Sequence, residues 1–411
     1  MLNTGFMNSG LHSIFQGLCE LPKQLRWSYL PPLMVYLAAG VSGLTAIVGT
    51  FFIKDYLNLS AAFLASLGFW AGLPWALKMP LGHLVDLIWK HKAYLVGLGA
   101  AVIAASLLIM YGLIGHTGFM ASIMPVETWF VTSVILGPVG YVIQDVVADA
   151  MTVEAVPEQD KNGNDIAPDQ LKIMHTTMQT LGRFAIIGGT VLVSLANVIM
   201  FSDVDSLDAA ARVDLYADIY LYALIIPVIS IAGVVLARLQ HSYRNARTQQ
   251  AHHTATSSHQ RPEINWSILL GSLVFVVFSL SVGTSGIGYA QEIVFAGSVG
   301  IILFLMNRLV RFLNPEKRLM IVGTAIIIFT FRAMPSPGPG LTWFEIDQLF
   351  FNEQFLSILS LIASILTLAG IILLRPFMAN NSIARIVVIL SIAGAALFLP
   401  SIGMYYGLHE W

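Results

Sequence analysis

Charged residues are missing from this chain over lengths that no water-soluble fold leaves bare. Crossing the hydrocarbon of a bilayer takes about 20 mostly apolar residues in a helix. Charge-poor stretches of that kind run through 31–53, 61–83, 93–115, 126–150, 172–200, 216–238, 265–284, 289–307, 319–349, 353–375 and 383–405. Only 11% of the 411 residues are charged and 56% are hydrophobic, against about a quarter charged in an ordinary soluble domain. A compact soluble fold could not hide that much apolar surface. These figures argue against a soluble enzyme and a disordered scaffold, and a net charge of -2 offers nucleic acid no attraction. The long runs lack the alternation of barrel strands, so the expected elements are helices. The fold expected is an all-α membrane protein, a bundle of eleven transmembrane helices in contact with the lipid bilayer. A lone cysteine, Cys19, allows no disulfide within the chain.

Orientation follows from the basic residues between spans. With the N-terminus in the cytoplasm, sixteen of the 21 Lys and Arg residues fall in inside segments. Lys54 and Arg212 fall outside, and Lys78, Arg183 and Arg332 lie within spans. The organisation expected is a cytoplasmic N-terminal segment 1–30, a six-helix bundle 31–240, a polar cytoplasmic linker 241–264, a transmembrane hairpin 265–307 and further helices over 308–411. Leu11, Ile14, Phe15, Leu18 and Leu21 share a helical face in the first segment and suit either a surface helix or a frayed tail. No apolar core with a small-residue cleavage site precedes the first span, so a secretory signal is not expected. The linker carries His241, His252, His253 and His259. Nothing fixes their geometry for a metal, and none is expected.

An internal repeat divides the chain. Residues 54–64 read KDYLNLSAAFL and residues 346–356 read IDQLFFNEQFL. At an offset of 292, Asp55 matches Asp347, Leu57 matches Leu349, Phe63 matches Phe355 and Leu64 matches Leu356. Ser60 and Asn352 correspond as N-caps of the helices that follow. Repeated halves are a hallmark of transporter folds. On that reading 265–307 is an insertion between halves. The second half, with three spans where the first has six, is expected to be incomplete.

Charges inside the spans are costly and need pairing or water. Asp145 and Asp149 are four residues apart and share a helix face. Asp145 lies about 16 Å in from a helix end at Pro157, and Arg183 sits at similar depth in the next span. That places an Asp145–Arg183 contact beside a hydrated cavity, with Lys78 within reach of Asp149. Glu154 is nearly opposite Asp145 and nearer the cytoplasm. Static intramembrane ion pairs holding helices together are the alternative for all of these. Arg332 opens the run Arg332-Ala-Met-Pro335-Ser-Pro337-Gly-Pro339-Gly, which must bend or break its helix. Such breaks often line transport sites, and an ordinary kink is the alternative. Glu345 and Asp347 are expected near the outer surface in water.

Gly82-His-Leu84-Val-Asp86, followed by Lys90 and Lys92, resembles the cytoplasmic loop signature of the major facilitator superfamily. Leu87 and Trp89 depart from it, where a basic residue and a glycine are usual. Three further strings resemble the folate–biopterin transporter family of that superfamily. They are Gly43-Leu-Thr-Ala with Phe52-Ile-Lys54-Asp55-Tyr-Leu-Asn-Leu59-Ser60; Leu73-Pro74-Trp75-Ala-Leu-Lys78-Met-Pro80-Leu-Gly82; and Asp145-Val-Val-Ala-Asp149-Ala-Met-Thr-Val-Glu154. The resemblance covers the first half, resumes from Arg332 to Trp411, and leaves out the hairpin. It implies two pseudo-repeated bundles in a multi-pass protein of the bacterial inner membrane, carrying folates or pterins with protons and needing no cofactor. A pterin offers a two-donor edge that a carboxylate accepts, which suits Asp145 or Asp149; either can also carry the proton. Arg183 and Arg332 suit the carboxylates of a folate tail. Lys78, Asp86 and Glu154 then serve as gating or structural pairs, with Asp86 as a switch.

No H-E-x-x-H, nucleophile elbow or Gly-rich phosphate loop is present, so neither an enzyme nor an ATP-driven pump is expected. A channel needs no repeat with an inserted hairpin. The expectation is a secondary transporter of folate- or pterin-like solutes working by alternating access; the alternative is a transporter of another small organic solute.

Overall fold

The computed structural model describes residues 25–159, 164–250, 264–311, 313–334 and 336–410. The N-terminal apolar face at 11–21 and the linker histidines His252, His253 and His259 lie outside these residues. Among the described residues the protein is all-helical, with one isolated bridge between Gln159 and Asp165. Nine helices among the described residues are long and apolar enough to cross a membrane, and they coincide with nine of the eleven expected spans.

The other two spans are interrupted, for a physical reason. The 61–83 stretch is helix α3 (Ala61–Gly72), a 3-10 turn Leu73–Leu77, then α4 (Lys78–Leu87). Pro74 stands at the start of that turn and removes an N–H that a continuous helix would use. The 319–349 stretch breaks as its prolines require, into α13 (Pro315–Arg332) and α14 (Pro339–Asp347), with Gly338 at φ 56° between them. The first span is helical throughout, from α1 (Leu30–Val41) through a 3-10 turn to α2 (Ala46–Phe51) and a π turn Phe52–Tyr56.

Between these lie α5 (Lys92–Gly115), α6 (Thr117–Ile123), α7 (Val126–Ala155), α8 (Pro168–Met200), α9 (Ala209–Tyr222), α10 (Ile225–Gln250), α11 (Trp266–Thr284) and α12 (Ala290–Val310). The last two long helices are α15 (Glu353–Asn380) and α16 (Ile383–Tyr405). Contacts group the chain into two units. One runs to Val294 and takes in Gly338–Leu368; the other holds Phe295–Pro337 and Ala369–Trp411.

In lipid, apolar burial does not drive helices together; close packing does. The first unit meets that requirement with glycine. A Cβ on Gly40 of α1 would lie 2.0 Å from the Ile186 carbonyl oxygen of α8, and one on Gly189 2.9 Å from Gly40 Cα. A Cβ on Gly99 of α5 would lie 2.8 Å from the Gly140 carbonyl oxygen of α7. Around these crossings sits a core that includes Phe51, Ile103, Phe130, Tyr216 and Ile226, against which Trp343, Ile346 and Leu356 also pack. The hairpin's first helix lies along α3 and α4: the Asn265 N–H donates to His83 Nε2 at 3.0 Å, and Gly283 leaves room for the Trp70 ring.

The repeat read from the sequence is also a repeat of backbone geometry. Asn58 has φ 50° and its counterpart Phe350 has φ 56°. Leu57 N donates to Phe52 O and Leu349 N to Phe344 O; Leu59 N donates to Ile53 O and Phe351 N to Glu345 O. Ser60 Oγ caps Phe63 N at 3.1 Å, and Asn352 Oδ1 caps Phe355 N at 2.9 Å. Each pair is separated by the same 292 residues as the sequence match.

Candidate functional site

The 3-10 turn after Pro74 delivers Lys78 as the first residue of α4, facing α7. There its Nζ lies 2.5 Å from Asp145 Oδ2 and 2.9 Å from Asp149 Oδ2. The i, i+4 spacing on α7 makes this double contact reachable by one ammonium. A fourth group, absent from the sequence reading, completes the cluster. The Tyr36 hydroxyl of α1 donates to Asp149 Oδ1 at 2.5 Å. Gly182 of α8 makes that reach available, since a Cβ there would sit 2.8 Å from the Tyr36 ring. The signal for Tyr36 was a phenol in the middle of an apolar span, which needs a hydrogen-bond partner when buried.

The two carboxylates are not equivalent. Both oxygens of Asp149 are engaged, one by Tyr36 and one by Lys78. Among the described residues Asp145 is engaged through Oδ2 alone. Asp145 is also the more enclosed, 17% exposed against 43% for Asp149, while Lys78 is 44% exposed. One ammonium between two carboxylates leaves a formal charge of -1 in the cluster. That leaves Asp145 as the acceptor with capacity for a further donor or a proton.

The expected Asp145–Arg183 pair is not what the structure assembles: Lys78 takes that position. Arg183 is exposed on α8. Arg183 makes no ion pair with Asp145 among the described residues. Depth along a helix matched the two residues, but depth does not decide which cation reaches a carboxylate, and here Lys78 of α4 does.

Glu154 stands apart, 2.8 Å from Lys92, whose ammonium also lies 3.8 Å from the Trp89 ring centre. Asp86 is exposed on α4. Arg332 ends α13 in the second unit, exposed, just before the break. Asp347, expected in open water, pairs with Lys54 at 2.6 Å. Next to Asp145, Gln144 is buried and bonded at both ends of its amide, donating to Val96 O and accepting from Ser230 Oγ; it ties α7 to α5 and α10. No group of His, Cys, Asp and Glu suited to a metal occurs among the described residues. A surface cavity of about 340 Å³ is lined by Phe350, Phe351, Asn352, Gln354, Phe355 and Ile358, away from this cluster.

Among characterised proteins the chain is similar to a folate-biopterin transporter of Synechocystis sp., with 28% identity over 134 residues. The match covers 31% of this chain and 24% of that relative's length. No protein-family model and no solved structure matches the chain. Length, composition and helix content together make it an all-α, multi-pass membrane protein.

Proposed function

We propose that this chain is a secondary transporter in which the Lys78–Asp145–Asp149–Tyr36 cluster binds solute or proton. The observation that carries this is the half-engaged Asp145 beside an intramembrane lysine. A purely structural tie would be expected to use both oxygens of its acid, as the more exposed Asp149 does. Ionisable groups at this depth mark substrate or proton routes by default.

The solute class is a pterin or folate, supported by the similarity above and by the chemistry. A pterin's adjacent N–H donors suit a carboxylate acceptor, and an arginine of the first unit such as Arg183 suits the acidic tail of a folate. Protonation of Asp145 releases Lys78 from one of its two partners, which couples proton arrival to a change at the cluster. The protein works by alternating access as a branch of the major facilitator superfamily. It sits in a bacterial inner membrane with its N-terminus in the cytoplasm, so that Lys54 and Asp347 face outward. Transport of a different small organic solute is the second reading, favoured if Asp145 serves only the proton.

The test is uptake of labelled biopterin and folate into vesicles carrying the full-length folded protein, with and without a proton gradient. Asp145→Asn should abolish gradient-driven uptake. Absence of uptake of either compound by a verified folded protein removes the substrate assignment; uptake indifferent to the gradient removes the coupling.

A further inference from the structure

The outward end of the first unit holds a second polar system that the cluster above does not use. Glu353, the first residue of α15, is 1% exposed, a carboxylate among the most buried side chains of the unit. The Tyr216 hydroxyl donates to its Oε1, and Arg212 Nη1 lies 3.8 Å from the same oxygen. Beside it Asn352 Nδ2 donates to Asp205 Oδ2 at 2.8 Å, and Lys54 meets Asp347 at 2.6 Å. Three polar ties thus fasten residues 347–353 to the segments around Lys54 and Arg212.

Below the ties runs a polar seam. On α15, Glu353, Ser357, Ser360 and Ser364 follow at spacings of four, three and four, one helical face. On α8, Thr190, Ser194 and Asn197 follow at four and three. Ser194 and Ser360 share a hydrogen bond of 2.9 Å. The pairs Asp205–Asn352 and Ser194–Ser360 run in opposite directions along the two chains, so the helices are antiparallel. Asn197 therefore comes level with Ser357. Ser194, Asn197, Ser357 and Ser364 are all buried. Ser357 and Thr190 satisfy themselves on backbone carbonyls of their own helices. Asn197 does not: its Oδ1 is buried with no hydrogen-bond partner among the described residues.

A seam whose only task is adhesion would not keep an orphaned acceptor, which costs about 1–3 kcal/mol, when an apolar residue would pack without that cost. A seam that opens and hydrates recovers those hydrogen bonds in its open state. We propose that the α8–α15 seam is the outward half of the path for a solute bearing N–H or O–H donors, and that Glu353, held by Tyr216 and Arg212, is the latch that closes it. This rests on the transporter reading and adds a place and a device to it.

The experiment uses the full chain with Cys19→Ser and a reporter Asn197→Cys, labelled in vesicles by a membrane-impermeant maleimide. With the latch intact, labelling is slow from either side. Glu353→Gln and, as a milder change that spares the charge, Tyr216→Phe should each raise the labelling rate about tenfold from the Lys54 side only, the factor that about 1.4 kcal/mol of lost latch supplies. Leu195→Cys, on the exposed face of α8, should label at one rate throughout. Unchanged labelling of Asn197→Cys in folded Tyr216→Phe protein overturns the latch, as does an equal rise at Leu195→Cys. Labelling needs no substrate. A latch that opens in a protein that carries no pterin sinks the substrate assignment alone, while uptake without any change in labelling sinks the latch alone.

Discussion

Replacing Lys78 by methionine keeps the length of the side chain and removes the charge between Asp145 and Asp149. Their Lys-facing oxygens lie 2.5 and 2.9 Å from Nζ, so they are within about 5 Å of each other. At an effective dielectric of about 20, two unit charges at that distance repel by roughly 3 kcal/mol. Exposure of Lys78 and Asp149 near 44% and 43% screens part of this, and about 1–3 kcal/mol of destabilisation is expected. Neutralising one carboxylate as well should recover most of the loss, and the two choices should differ. In Lys78→Met/Asp145→Asn the remaining Asp149 keeps the Tyr36 hydroxyl as a donor. In Lys78→Met/Asp149→Asn the remaining Asp145 has lost its ion-pair partner. The first double variant should therefore be the more stable. Unfolding in mixed detergent micelles, arranged as a double-mutant cycle, measures the coupling. Additive single and double changes, or the reverse order of the two double variants, would refute the assignment of Lys78 as the shared cation and of Tyr36 to Asp149.

Further outcomes follow from the same geometry. Gly40→Ala should cost about 1–3 kcal/mol or block assembly, because its Cβ meets the Ile186 carbonyl; Gly68→Ala, with open space around it, should be close to neutral, and detergent unfolding compares the two. Phe350→Gly should stabilise by up to about 1 kcal/mol by relieving a positive φ on an exposed aromatic residue, more than Asn58→Gly does; a destabilised Phe350→Gly would mean that the ring's contacts outweigh the backbone strain. Exchanging the charges of Lys54 and Asp347 should preserve folding that each single reversal weakens by about 1 kcal/mol, and a double reversal no better than either single one would deny that their contact matters.

The sequence placed some features well and others not at all. Span positions were legible because bilayer thickness sets a length that composition must satisfy. The N-caps Ser60 and Asn352 were legible because capping is local chemistry, complete within four residues. The partner of Asp145 was not. Helical spacing fixes depth and face, but which neighbour fills a face depends on how helices cross. Here the crossing of α1 and α8 at Gly40 and Gly189, and the room Gly182 leaves for Tyr36, set the arrangement. The break at Leu73–Leu77 hid in an apolar run where one proline within a span is commonplace. Glu353 drew no attention because a carboxylate at a helix start is ordinary on a surface; only tertiary packing shows it enclosed.

Backbone resting on backbone leaves nothing compressible. Helices α1 and α8 meet with no side chain between them at Gly40 and Gly189, and α5 and α7 do the same at Gly99 and Gly140, so neither pair can shift without backbone striking backbone. Flexing then falls to places where the regular helix is already interrupted. The tightened stretch Leu73–Leu77 is one of these, and the residue it leads into is Lys78.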